Sequence, residues 1–212
     1  MNTTTIRRVV AAVAVLALAG TAAACSSDDD SSGHDANSAA SEQARPGDVN
    51  DADVVFVRRM IPHHRQAVAM SEMVIEAGTD SDTIALAEQI KAAQGPEIDQ
   101  MATWLDDWGV AADSIETEDH GMHGDDSSVD SSMMEGAGMM SNEEMDNLSA
   151  MSGADLESMF LQMMIRHHEG AIEMAQTELE DGSNGDVLAL AQNIVDTQQA
   201  EIETMSSMLN AR

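Results

Sequence analysis

One segment of this 212-residue chain occurs twice, at an offset of 104 residues. The pairing begins at Phe56 and Phe160, continues without a gap to Leu105 and Leu209, and is identical at 19 of its 50 positions. Such self-similarity indicates that each copy is one structural unit and that the two units pack together. Both copies also keep an adjacent pair of histidines at the same place, namely His63-His64 and His167-His168.

The spacing of apolar residues within each copy predicts two helices. From Asp51 to Ala77 the apolar and histidine side chains recur with a 3.6-residue period and fall on one face. A glycine follows this segment and predicts its end, and the next helix is expected from Ile84 to Trp108, with a kink at Gly95-Pro96. The second copy predicts one helix that ends at Asp181 and another over 186–210.

Two helical hairpins joined by one long connection predict an all-α fold, a four-helix bundle. A long second-to-third crossover is the ferritin-like variant of this arrangement. We assign repeat one to 51–108, the connection to 109–152 and repeat two to 153–211. A pseudo-twofold axis is expected to relate the hairpins, so that the first and third long helices bring both histidine pairs to the centre. In the connection, a capping box at Ser141-Asn-Glu-Glu144 predicts a short helix over 142–148, and Ser152 is expected to cap the next helix.

The first 24 residues are typical of an export signal. Arg7 and Arg8 precede an apolar run over 9–19 that is too short for a stable membrane anchor, and small residues then lead to Cys25. This order is typical of a bacterial lipoprotein whose Cys25 carries the lipid; the alternative is an ordinary signal peptide cleaved near Ala24. Residues 25–50 predict a disordered tether. We therefore expect a lipid-anchored protein at the outer face of the cytoplasmic membrane or in a periplasm-type space.

The chain is strongly acidic and has a single cysteine. Its 9 basic residues face 39 acidic ones, a formal net charge of −30, which opposes binding to nucleic acid or to an anionic membrane surface. One cysteine allows no disulfide bond within the chain. Membrane attachment is therefore expected through the N-terminal lipid only, while the oligomeric state and any metal-transfer partner are left open.

The histidine pairs and the methionines around them predict a metal site. Neutral imidazole binds copper, zinc, nickel and iron, and thioether sulfur selects soft ions, chiefly Cu(I). Met60 lies one helical turn before His63 and His64, so the same face offers both donor types, and the second copy repeats this. The predicted ligands are Met60, His63, His64, Met70, Met164, His167, His168 and Met174. Weaker candidates in the connection are His120, Met122, His123, Met139 and Met140.

The pattern Phe-x-x-x-Met-Ile-x-His-His-x-x-Ala-x-x-Met, present twice, and Gly138-Met-Met-Ser-x-x-Glu-Met145 resemble a secreted bacterial family catalogued as domain of unknown function 305. The resemblance covers about 51–209. It implies a ferritin-like helical protein that is exported and, as for some members, binds copper and acts in copper resistance, with ligands at the eight positions given above. Copper, favoured as Cu(I), is therefore the expected cofactor, and zinc or another divalent ion is not excluded by composition.

The sequence does not favour an enzyme. Ferritin-like di-iron sites need Glu three residues before a ligand histidine, and this chain has Met60 and Ile61 at those places, with Met164 and Ile165 in the second copy. No Ser/His/Asp or Cys/His group can be assembled, because Cys25 belongs to the anchor. The alternative to metal binding is a structural or protein-interaction module on the cell surface, in which the histidine pairs only pack.

Overall fold

Two antiparallel helical hairpins, one from each repeat, make up the bundle in the computed structural model, which describes residues 48–110 and 137–211. The first hairpin pairs α1 (Asp51–Ala77) with α2 (Ser81–Asp107), and the second pairs α4 (Gly153–Asp181) with α5 (Gly185–Asn210). The short α3 (Asn142–Ser149) precedes α4 and contacts both α1 and α4. The all-α bundle predicted from the repeat is confirmed.

Several predicted elements lie outside the described residues. They are the export signal over 1–24, Cys25, the tether up to residue 47, and His120, Met122 and His123 of the connection. Within the described ranges, no helix has the combination of length and apolar composition needed to cross a membrane.

Helix ends agree closely with the sequence because the capping residues are local signals. Gly78 ends α1 in the left-handed conformation, with a φ of 64°. Asp80 starts α2 three residues before the predicted start, since its side chain accepts hydrogen bonds from the backbone N–H groups of Asp82 and Thr83 at 2.9 and 3.1 Å. Pro96 does not end α2, which continues through it to Asp107.

One predicted cap of the connection is confirmed and one is wrong. Ser141 and Glu144 form the expected capping box at the start of α3. Ser152 occupies the N-cap position of α4, but its side chain makes no capping hydrogen bond. Gly153 takes a left-handed φ of 58°, so the backbone after Ser152 does not present the first-turn N–H groups to its hydroxyl.

Each hairpin also caps the other hairpin, through a carboxylate near the start of its first helix. Asp53 of α1 accepts hydrogen bonds from the backbone N–H groups of Ser183 and Asn184, at 3.1 and 3.0 Å, where α5 begins. Glu157, at the equivalent position of α4, accepts one from the backbone N–H of Asp80 at 2.8 Å, where α2 begins. The two exchanges follow the repeat and fix the relative position of the hairpins.

The main contact between the hairpins is the packing of α1 against α4. Two apolar clusters fill the bundle on either side of its middle. The first combines the start of α1 with Ala171 and Ala175 of α4, and the second combines Ala67 and Met70 of α1 with the region around Phe160 of α4. The helices α1 and α4 are therefore antiparallel, as a twofold axis across them requires.

Between the two clusters, all four long helices place polar side chains toward the middle of the bundle. On α2, for example, Ile90 belongs to one cluster and Met101 to the other, with Gln94 and Glu97 in between. We call this set the central polar layer; its members are His63, His64, Gln94, Glu97, His167, His168, Gln198 and Glu201.

Candidate metal centre

The histidines of the two repeats meet in the middle of the bundle. The ring centroids of His63 and His167 are 3.7 Å apart, with 35° between the ring planes. These residues are equivalent in the repeat, so the pseudo-twofold axis passes between them. The expectation that the first and third long helices would bring the histidine pairs together is therefore correct for the arrangement of the side chains.

All four imidazoles are buried, each at most 1% exposed. His63 donates from Nε2 to the carbonyl oxygen of Ala137, at 2.9 Å. Its Nδ1 atom has no hydrogen-bond partner within the described residues, and the same holds for Nδ1 of His64 and of His168 and for both ring nitrogens of His167. Five buried nitrogens without partners are a desolvation cost that a bound metal ion would offset.

Burial keeps the two central rings neutral. It lowers the pKa of His63 to about 3, and the neighbouring His64 and His168 lower it further, against the hydrogen bond to Ala137, which raises it. Burial, and then the other three histidines, hold the pKa of His167 well below its ordinary value, against the backbone of His63, which acts in the opposite direction. Both rings therefore keep a free nitrogen lone pair at neutral pH, which metal coordination requires.

A glutamate holds each outer histidine. His64 Nε2 lies 2.8 Å from Glu97 Oε2, and His168 Nε2 lies 2.7 Å from Glu201 Oε2. The two glutamates are themselves equivalent in the repeat. Sequence reasoning missed them because it looked for carboxylates on the histidine helices, whereas these partners lie on α2 and α5; the signal that was present is their identity across the repeat.

A buried glutamine from each repeat also belongs to the layer. Gln94 and Gln198 are both 3% exposed and identical across the repeat. Both amide atoms of Gln94 and the amide oxygen of Gln198 have no hydrogen-bond partner among the described residues. Unsatisfied amides in a core are costly, so their presence in both copies marks the layer as a polar interior rather than a packing layer.

The predicted methionine ligands lie on the two sides of the layer. Met60 belongs to the first apolar cluster, with Met174 packed against it, and Met70 and Met164 belong to the second. Met60, Met70 and Met164 are fully buried, while Met174 is partly buried. The thioethers are therefore divided in pairs, each made of one methionine from each repeat, and the histidines lie between the pairs.

The end of the connection closes one side of the layer. Gln66 donates to the carbonyl oxygen of Met140 at 2.8 Å and accepts from its backbone N–H at 2.7 Å. A methyl group at Gly170 of α4 would overlap the carbonyl oxygen of Ala137, so backbone packs directly on backbone there. We call residues 137–141 the strap. Gln66 and Gly170 are equivalent in the repeat: the glutamine binds the strap by hydrogen bonds and the glycine leaves room for it, so a single strap lies across a bundle that is otherwise symmetric.

The two weaker candidates of the strap have different environments. Met140 is 5% exposed within the second apolar cluster, and its sulfur contacts Nη2 of Arg166. Met139 is only partly buried. The sulfur of Met140 is therefore already engaged by a cation, and neither methionine joins the central polar layer.

Across 48–110 and 137–211, no three His, Cys, Asp or Glu side chains converge in a way that would hold a metal ion. A site in this layer therefore requires thioether sulfur, or a rotation of the imidazoles, in addition to the arrangement observed. The donors nevertheless fit a soft ion, because free imidazole nitrogens and uncharged thioethers lie in neighbouring layers of the same core.

Fold and site together define a class of protein, a bundle of two repeated helical hairpins with paired histidines buried between them. The chain belongs to the family described as Domain of unknown function (DUF305), whose family model matches residues 53–209. No curated protein matches the chain.

Solved structures of family members and of a copper protein share the fold. A DUF305 fragment from Deinococcus radiodurans is 29% identical, with a TM-score of 0.66, over 78% of this chain and 99% of that one. A DUF305 protein from Streptomyces coelicolor, described as secreted, is 31% identical, with a TM-score of 0.64, over 76% and 93%. CopM in its Cu(II)-bound form is 26% identical, with a TM-score of 0.58, over 75% and 96%.

Proposed function

We propose that this protein binds copper outside the cytoplasmic membrane, with its metal site in and beside the central polar layer. The observation that carries the proposal is that four buried imidazoles, two from each repeat, meet in the middle of the bundle. Five of their eight ring nitrogens have no hydrogen-bond partner within the described residues. The likeness to CopM, which has a structure with bound Cu(II), supports copper as the ion.

The ligands that we propose are the eight predicted residues, namely Met60, His63, His64, Met70, Met164, His167, His168 and Met174. Thioether donors favour Cu(I) over harder ions. The neutral state of the central imidazoles supports the same assignment, since no proton has to be displaced from their free lone pairs. Buffering of copper, or resistance to it, is the role that such a binder performs without any catalytic step.

Export and anchoring are also part of the proposal. The secreted relative from Streptomyces coelicolor supports export, and the sequence supports lipid attachment at Cys25. Expression of the full chain in a bacterial host, with mass spectrometry of the membrane fraction, tests the anchor. A diacylglycerol adduct on Cys25 that is lost in Cys25→Ala is expected, and a free, cleaved chain in the wild type contradicts it.

Competition for Cu(I) against a chromophoric chelator tests the copper proposal on the mature protein. Cys25→Ser is made in every sample, because a free thiolate is itself a Cu(I) ligand. Alanine at His63, His64, His167 and His168 is expected to abolish tight binding. Circular dichroism of this variant is measured alongside, to check that it is still folded.

The matched control places alanine at His120, Met122 and His123, the weaker candidates of the connection. We expect it to keep the tight site and to lose, at most, additional weaker ions. If the control variant loses tight binding while the variant with alanine at the four histidines retains it, the site lies in the connection instead. If the wild type binds no Cu(I), the copper proposal fails, and the interaction module becomes the function to test.

A further inference from the structure

The two outer histidines belong to hydrogen-bonded chains that obey the repeat. His64 bonds to Oε2 of Glu97, and Oε1 of the same carboxylate accepts from the side-chain amide of Asn193 at 3.0 Å. His168 bonds to Oε2 of Glu201, whose Oε1 lies 3.5 Å from the amide nitrogen of Gln89. The three residues of one chain occupy positions that are equivalent in the repeat to those of the other.

Each chain joins the two hairpins. The histidine and the glutamate come from one hairpin, on α1 and α2 or on α4 and α5, and the amide comes from the last helix of the other. The carboxylate of Glu97 is thus held at both oxygens, one by the imidazole and one by the amide, whereas the amide contact of Glu201 is longer and weaker. A group fixed at both oxygens has little freedom to rotate away from its histidine.

The hydrogen bond decides which ring nitrogen carries the proton. A carboxylate oxygen only accepts, so Nε2 of each outer histidine is the donor. The lone pair of a neutral ring then lies on Nδ1, and Nδ1 of His64 and of His168 is buried without a hydrogen-bond partner in the described structure. Partners of this kind fix the tautomer and the orientation of metal-binding histidines and raise their basicity.

We infer that Glu97 and Glu201 are positioning residues for the proposed copper site: each holds the Nε2 proton of its histidine and leaves Nδ1 as the donor atom toward the metal. Asn193 and Gln89 hold the carboxylates in turn. This inference rests on the proposed function. It adds that His64 and His168 bind through Nδ1 and that their direction is set from α2 and α5.

The test begins with the metal-free protein, where a tautomer is measurable without any copper. Two-bond proton–nitrogen correlation spectra of the histidine rings, at neutral pH, are expected to report protonated Nε2 in His64 and His168. Leucine at both Glu97 and Glu201 removes the acceptors and is expected to mix the tautomers. Glutamine at both positions keeps an acceptor oxygen and is expected to restore the wild-type spectrum.

Cu(I) affinity is then measured on the same proteins, all with Cys25→Ser. The leucine pair is expected to weaken binding by about 10- to 100-fold, the usual effect of losing such partners, and the glutamine pair by clearly less. If the leucine pair does not fold, the variants N193A and Q89A carry the test, because they leave both glutamates in place. N193A is then expected to weaken binding more than Q89A, following the shorter hydrogen bond.

The outcomes separate the two claims. The positioning role is overturned if the wild type binds tightly and the leucine pair keeps both the wild-type tautomer and the wild-type affinity. Where N193A carries the test, the same result in N193A overturns it. In either case the copper proposal stands. No binding by the wild type overturns the copper proposal, and this inference with it. A shift of tautomer together with a loss of affinity that glutamine rescues supports both.

Discussion

His63 and His167 lie against each other on the pseudo-twofold axis, 3.7 Å between ring centroids, yet only His63 has a hydrogen-bond partner among the described residues. The symmetry of the bundle is therefore broken at its centre. The carbonyl oxygen of Ala137 in the strap accepts the Nε2 proton of His63, and no residue of 48–110 or 137–211 holds a ring nitrogen of His167 in the same way. Two neighbouring rings at equivalent positions of the repeat thus differ in how strongly each is held.

His167→Leu is expected to maintain or raise the stability of the metal-free protein. It removes two buried nitrogens that have no hydrogen-bond partner in the described part of the chain, which cost about 1–3 kcal/mol each, and replaces the ring by an apolar side chain of similar volume. We expect the free energy of unfolding in urea to rise by about 1 kcal/mol. Cu(I) affinity is expected to fall at the same time.

The matched control is His168→Leu, which leaves the buried carboxylate of Glu201 without its imidazole. This change is expected to destabilise the protein by about 1–3 kcal/mol. A loss of more than about 2 kcal/mol in His167→Leu would instead mean that the central ring contributes to packing. That result would favour the structural-module alternative.

Gly170→Ala is expected to displace the strap. The added methyl group would overlap backbone atoms of Ala137 and Gly138, which have no flexible end that can move aside. We expect a loss of about 1–3 kcal/mol in thermal or urea unfolding.

Gly185→Ala provides the comparison, because Gly185 lies in the first turn of α5 and no described atom, apart from its chain neighbours and its own helix backbone, lies within 4 Å of the added methyl group. Alanine in a helix is favoured over glycine by up to roughly 0.5–1 kcal/mol, so this variant is expected to be at least as stable as the wild type. Equal effects of the two substitutions would contradict the close backbone packing at Gly170.

Gln66→Ala is expected to loosen the strap without disturbing the bundle. It removes both hydrogen bonds to the backbone of Met140, at 2.8 and 2.7 Å, and should cost about 1–2 kcal/mol. Hydrogen exchange of the Met140 amide is expected to become faster, while amides within α1 stay protected.

Gln192→Ala is the control for this change, since the side chain of Gln192 is exposed and donates a hydrogen bond to Asp196 on its own helix. Its effect is expected to stay within about 0.5 kcal/mol. An unchanged exchange rate at Met140 in Gln66→Ala would show that packing, and not these two hydrogen bonds, holds the strap.

The repeat and the helical period were sufficient to predict the hairpins, the ends of α1 and the meeting of the histidine pairs. These features depend on local signals and on symmetry, both of which a single sequence carries. The predicted bounds of α1, 51–77, agree with the structure at both ends. The cap expected from Ser152 was wrong, because a side-chain cap also depends on the backbone angles of the next residue, here Gly153.

The partners of the histidines were not predicted, because they depend on which helices become neighbours. Glu97 and Glu201 lie on α2 and α5, which carry no histidine of the layer, and only the packing of each hairpin brings them next to an imidazole. In the sequence, both glutamates and both glutamines of the central polar layer are distinguished by being identical in the two copies of the repeat. The strap was also beyond prediction: its place depends on Gln66 and Gly170, where the two copies differ.

The pH dependence of the protein's stability is expected to come mainly from Glu178, a buried carboxyl group of α4 beside Asp53 of α1. Glu178 is 1% exposed, and burial, together with the neighbouring carboxylates of Asp53 and Asp181, raises its pKa to about 8. Burial also raises the pKa of Asp53, but hydrogen bonds, first those from the backbone N–H groups of Asn50 and Asn184, hold it below its ordinary value. Glu178 is therefore the member of the pair that keeps the proton.

The sign of the pH dependence follows from where that proton is bound. Between about pH 4.5 and 8 the folded protein keeps the proton on Glu178, whereas the unfolded chain has released it. The folded state binds more protons, so this group lowers the free energy of unfolding as pH rises through that window. Glu178→Gln keeps the size and shape of the side chain, adds an amide donor beside Asp53 and has no titrating proton. We expect the free energy of unfolding of this variant to be roughly 1–3 kcal/mol higher than that of the wild type at about pH 8, and the two values to converge near about pH 4.5.

Urea unfolding of Glu178→Gln and of the wild type across this pH range measures the difference directly. Glu180→Gln is the control, because it removes the same formal charge from the exposed face of the same helix. Its difference from the wild type is expected to be small and to vary little with pH. A stability difference for Glu178→Gln that is constant from about pH 4.5 to 8 would mean that Glu178 does not hold a proton in the folded protein.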